Sequence, residues 1–170
     1  MLGIITLIYL IYQTKATEKQ AQEAADQVSE ARLDGIYQQL LDYDKFVSSP
    51  ENKRVNWLIA NPPRRLQDIK DPAERQEFLA VERWALDYFD YVYTTLPGLL
   101  NCVPKDGRLV LPGSPEERHT CDQWVAWSQT IYGNFRYDKT LCEVLKGDES
   151  TYEKKFVRAI RESRACTDGL

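Results

Sequence analysis

Histidine is almost missing from this chain: His119 is the single copy in 170 residues. That scarcity removes multi-histidine metal centres within one chain and leaves imidazole catalysis resting on one side chain. A surplus of positive charge is missing as well. The 22 Lys and Arg face 26 Asp and Glu, a net charge of -4, which argues against a nucleic-acid binder with its basic face. The four cysteines, Cys102, Cys121, Cys142 and Cys166, include no Cys-x-x-Cys, so zinc and thioredoxin-like sites have no local signature. Low-complexity tracts and internal repeats are also lacking, and the one long uncharged apolar run is Met1 to Tyr12.

What is present describes a globular domain. Hydrophobic residues make up 43% of the chain, aromatics 11% and charged residues 28%, enough to build a core and too apolar for wholesale disorder. The N-terminal run, MLGIITLIYLIY, reaches only ~18 Å as a helix, against a bilayer hydrocarbon thickness of ~30 Å. A signal peptide would want a basic residue before it and a better cleavage pattern than Thr14-Lys15-Ala16. An interfacial helix would want a charged face. The favoured expectation is part of a membrane helix, anchored by Ile4, Ile5, Leu7, Ile8, Leu10 and Ile11 and bordered by Tyr9, Tyr12 and Lys15. Lys15 and Lys19 on its C-terminal side then place the bulk of the chain in the cytoplasm.

Residues 1–31 thus read as anchor and stalk, and 32–170 as a helical bundle. The stalk carries Ala16, Ala21, Ala24 and Ala25, and its apolar stripe strengthens from Leu33 to about Val47, with Gly35 the weak point. Three start signals follow: Ser49-Pro50-Glu51, Asp71-Pro72-Ala73-Glu74 and Ser114-Pro115-Glu116-Glu117. They predict a short helix ending at Asn61, a long one to Leu96, and a third to about Phe135 with a break available at Gly133. A further helix covers Tyr137 to Lys146, and Ser150 or Thr151 caps a last one to about Ala165. The stretch 99–113 reads as an irregular loop or short hairpin, so the fold class is all-α.

Chemistry-bearing groups are few. Glu116 and His119 make one Glu-x-x-His, half of what a dimetal bundle needs. Asp87 and Asp90, three apart on a helix, could join them around a metal, or simply accept hydrogen bonds from their surroundings. Cys102 and Cys121 bracket the irregular loop and could bridge, whereas a hairpin turning at Gly147 would set Cys142 beside residues 152 to 154, well short of Cys166. In a cytoplasmic protein all four thiols would be reduced. Trp84, Tyr88, Trp124 and Trp127 supply helical aromatic faces that serve as core or as a partner surface. The last helix interleaves Lys154, Lys155, Arg158, Arg161 and Arg164 with Tyr152, Phe156, Val157 and Ile160.

Several segments together resemble a loosely defined, functionally uncharacterised family of small bacterial proteins. They are the apolar start, Gly35 to Leu40, Leu86-Asp87-Tyr88-Phe89-Asp90-Tyr91-Val92, Trp124-Val125-Ala126-Trp127 and Thr151-Tyr152-Glu153-x-x-Phe156. The resemblance implies one membrane helix followed by a cytoplasmic helical domain, and brings no catalytic residues. The expectation is therefore a membrane-anchored, non-enzymatic interaction or regulatory module. It would need no metal or cofactor, would engage the membrane and a protein partner or itself, and would not bind nucleic acid. Two other readings stand beside it: a secreted or periplasmic disulfide-stapled protein, and a metal-dependent enzyme using Asp87, Asp90, Glu116 and His119.

Overall fold

The computed structural model describes residues 2–63, 65–99, 109 and 122–166, with only the backbone given for 2–12, 14 and 99. Among the described residues six α-helices follow one another: α1 (Leu2–Ser48), α2 (Lys53–Ala60), α3 (Pro72–Leu99), α4 (Asp122–Tyr137), α5 (Lys139–Gly147) and α6 (Lys154–Ser163). Among the described residues there is no strand, and the expected loop or hairpin at 99–113 falls almost wholly outside them.

Two compact units divide the chain, residues 1–37 and residues 38–170. The first is the N-terminal part of α1. Its described side chains from Lys15 to Val28 are exposed, and local pairs accompany the helix-favouring alanines. Gln22 Nε2 donates to Asp26 Oδ1 at 2.9 Å, and Lys19 meets Glu23 at 3.6 Å. Helix α1 continues unbroken through Gly35.

The membrane expectation is corrected here. No helix among the described residues is long and apolar enough to cross a membrane. The apolar run ends at Tyr12, and Lys15, Glu18 and Lys19 follow on the same helix. A single-pass anchor through Ile4, Ile5, Leu7, Ile8, Leu10 and Ile11, with the remainder in the cytoplasm, is therefore withdrawn.

The second unit is built around α3. Leu86, Val92 and Leu96 of α3 are fully buried, as are Ile131 and Phe135 of α4, Leu145 of α5, and Phe156 and Ile160 of α6. Aromatic rings link three of these helices. Phe135 lies 6.2 Å from Phe89 and 6.1 Å from Phe156, and Tyr93 lies 5.7 Å from both Trp124 and Phe156. Edge and tilted arrangements of this kind suit ring quadrupoles and add to the burial of large apolar area. A smaller cluster of Leu58, Ile69 and Phe78, flanked by Ile59 and Leu66, fixes α2 and the turn after it onto α3.

Helix starts follow local chemistry. Asp71 Oδ1 accepts from Ala73 N at 2.8 Å with Pro72 in the first turn, and Asp138 caps α5 through Thr140 N. Pro97 sits inside the last turn of α3, and the helix runs past it to Leu99. Gly133 does not break α4. Helix α6 begins at Lys154, later than its sequence suggests, behind a 3-10 turn at Glu149–Thr151. Its Lys154, Lys155, Arg158, Arg161 and Arg164 are all exposed while Phe156, Val157, Ala159 and Ile160 are buried, the solvated basic face of an amphipathic helix.

The cysteine expectation is corrected as well. Cys142 and Cys166 form a disulfide with Cα atoms 5.7 Å apart, and no described cysteine is free. A tight α5–α6 hairpin was the wrong premise. Both helices pack chiefly against α3 and α4, with Tyr152 and Glu153 extended between them. Arg164 then takes a left-handed conformation (φ 57°) that turns the chain toward the start of α5, where Lys139 Nζ donates to the Ala165 carbonyl at 2.9 Å. Cys102 and Cys121 lie outside the described residues.

Candidate functional site

A cleft of about 450 Å³ opens in the second unit between the end of α1, α2, α3, α4 and the start of α5. Its rim residues Asp44, Ala126, Thr130, Asn134 and Tyr137 are exposed. Its floor residues Glu82, Tyr88, Phe89, Asp138 and Leu141 are buried. Tyr43 and Trp127, both half-buried, complete the aromatic wall, and Trp127 meets Tyr88 edge-on at 5.9 Å. Tyr137 is held at the mouth because its hydroxyl donates to the Ala60 carbonyl at 2.7 Å. A volume of this size, with apolar walls and a few polar groups, matches the usual dimensions of small-molecule sites.

Two carboxyl groups occupy the floor. Glu82 is 4% exposed and Asp138 6%. Glu82 arrives there because it falls on the buried face of α3, in step with Phe78, Ala85 and Phe89. Asp138 arrives there because it is the single residue between α4 and α5. Its Oδ1 accepts from Thr140 N at 2.9 Å and from Thr140 Oγ1 at 2.5 Å, and Leu141 N adds a further donor. The Glu82 and Asp138 carboxyls lie close enough for each to influence the other's protonation.

Their environments separate them. Burial first, and then the charge of Asp138, push the Glu82 carboxyl up to about 9. Burial raises Asp138 too, but its Thr140, Glu82 and Leu141 donors oppose that rise. Glu82 therefore holds its proton at neutral pH. Burial, followed by the charges of Glu82 and Asp138, also raises the Tyr43 phenol and keeps it neutral. Glu82 Oε2 is buried with no hydrogen-bond partner, a vacancy that normally costs free energy. The described lining holds three acids, Asp44, Glu82 and Asp138, and no Lys, Arg or His.

The aromatic residues singled out from sequence are distributed differently. Tyr88 and Trp127 face the cleft. Trp124 is fully buried against Tyr93 and belongs to the core rather than to a partner surface. Trp84 is half-buried between Tyr43 and Phe46, at 5.6 and 5.4 Å. Asp90 Oδ2 accepts from Glu153 N at 3.1 Å, supporting the entry to α6, whereas Asp87 is exposed. Partial desolvation raises both of these carboxyls, opposed at Asp87 by the Arg83 charge and at Asp90 by the Glu153 backbone bond. Glu116 and His119 lie outside the described residues, among which no group of three His, Cys, Asp or Glu is placed to hold a metal ion.

Glu82 and Asp138 escaped the sequence reading. An acid in register with the apolar stripe of α3 was the available signal for Glu82. Asp138 reads as an ordinary helix cap, and nothing local shows that its carboxylate meets Glu82. No family model, curated protein or solved structure matches the chain.

Proposed function

We propose that this chain is a non-enzymatic, disulfide-stapled helical binding module of an oxidising compartment, with the cleft of its second unit as the binding site. The carrying observation is the cleft itself: aromatic walls, an accessible rim, and a buried polar floor with an unsatisfied oxygen. The Cys142–Cys166 bridge supports the compartment, since such bonds persist where thiols are not kept reduced. A binding role suits the cleft better than a catalytic one, because its described lining sets no His, Cys, Ser or Lys beside the two carboxyls.

Two measurements test this reading. Mass spectrometry of the native protein after alkylation without reductant should leave Cys142 and Cys166 unmodified; alkylation of both would overturn the oxidising compartment. A fragment screen by two-dimensional NMR should shift Tyr43, Tyr88, Trp127 and Asn134 together. Shifts scattered over the surface, or none at all, would remove the cleft as a binding site.

A further inference from the structure

The cleft joins three features that rarely coincide without a ligand to explain them. The first is electrostatic. The lining carries Asp44 at the mouth and Glu82 and Asp138 below, with no basic side chain among the described lining residues. The cations next to these acids in sequence are engaged elsewhere: Lys45 with Asp42 at 3.5 Å, Arg83 with Asp148 at 2.7 Å, and Lys139 Nζ on the Ala165 carbonyl. The negative charge at the floor thus has no positive partner there. The second feature is the unsatisfied acceptor, Glu82 Oε2, on a side chain that is 4% exposed. The third is the wall. Tyr43, Tyr88, Trp127 and Tyr137 surround the space above the carboxyls, and ring faces attract cations. The same chain already uses that attraction at its surface, where the Arg54 guanidinium lies 4.5 Å from the Trp57 ring centre.

We infer that the cleft binds a small organic cation, with an ammonium group seated on Glu82 and Asp138 and its apolar remainder held between the tyrosines and Trp127. An ammonium supplies donors that the floor lacks, and its charge balances the one that burial isolates. The rings provide contact area without adding a competing cation. The seat also predicts a proton count. An ammonium beside Glu82 favours the ionised carboxylate, so the proton that Glu82 holds leaves as the ligand enters. Groups from every surrounding element bear on that exchange: Tyr43 and Asp44 from α1, Glu82 from α3, Asn134 and Tyr137 from α4, and Asp138 and Thr140 at α5.

This inference rests on the cleft being the binding site and adds the class of ligand. Its test is calorimetric and NMR titration of the intact, oxidised chain at pH 7 with n-butylammonium, n-butanol and butyrate. The expected order is n-butylammonium at least tenfold tighter than n-butanol, with no saturable response to butyrate. Titration in two buffers of different ionisation enthalpy should show protons released on amine binding. Glu82→Gln should bring the amine down to the affinity of the alcohol and abolish the release. Asp44→Asn, at the exposed rim where folding is indifferent to it, should weaken the amine two- to fivefold and leave the alcohol unchanged. Equal affinity for amine and alcohol would overturn the cation seat while leaving the cleft a binding site. Absence of cleft shifts with every compound would overturn both readings.

Discussion

Removing the Cys142–Cys166 bridge offers the sharpest test of the fold, because its cost can be worked out beforehand. The cross-link closes a segment of 24 residues. In the chain-entropy description, opening a loop of that length in the unfolded state lowers stability by about 3.4 kcal/mol at 25 °C, and by roughly 10 °C in Tm for a chain of this size. Both cysteines are only half-buried, so replacement by serine adds little further cost. The perturbation is Cys142→Ser, Cys166→Ser and the double variant, followed by urea unfolding monitored by circular dichroism. All three should lose the same amount, since either single change already breaks the link, and the double-mutant cycle should show complete non-additivity. The urea slope should rise in all three as the unfolded chain expands. A double variant within about 1 kcal/mol of the parent, or single variants whose losses add, would refute the reasoning.

Other consequences are quickly stated. Phe135→Ala, which removes a fully buried ring packed on Phe89 and Phe156, should cost about 3–5 kcal/mol in the same urea assay. Gly133→Ala should stabilise the protein by up to ~1 kcal/mol, because the position is exposed within α4 and an added methyl meets nothing within 4 Å. Stability should also depend on pH with a defined sign. Glu82 binds its proton more tightly folded than unfolded, so its contribution is complete below about 4.5 and drains away as pH rises toward about 9. Glu82→Gln should flatten a plot of unfolding free energy against pH across that window, by up to one proton or about 1.4 kcal/mol per pH unit. A plot unchanged by the substitution would show that Glu82 does not hold the proton.

Features that depend on neighbours in the chain were legible in advance. Asp71-Pro72 opens α3 and Ser49-Pro50 opens the turn before α2, because caps and prolines act within one helical turn. The all-helical architecture followed from the helix start signals and from apolar spacing between Leu33 and Val47 and along α3 and α4. Features that depend on distant partners were hidden. Helix α6 starts at Lys154 rather than behind a cap at Ser150 or Thr151, with Glu153 N finding its acceptor in Asp90, on α3. The Cys142–Cys166 bridge depends on the left-handed turn at Arg164, at a residue type that rarely adopts one. The carboxyl pair was hidden for the same reason: Glu82 and Asp138 have no local relation, and only the packing of α3 against α5 joins them. The membrane expectation is overturned because no helix among the described residues is long and apolar enough to cross a membrane.

The graded burial of the four tryptophans gives the molecule an optical readout of its own. Trp57 is 51% exposed, Trp124 is sealed from solvent, and Trp84 and Trp127 lie between these extremes. Under ultraviolet excitation they form a depth series: an aqueous quencher such as iodide reaches Trp57 first and Trp124 only on unfolding. Trp127 alone among them borders the cleft, so its emission in a Trp57→Phe background would register occupancy without an attached dye.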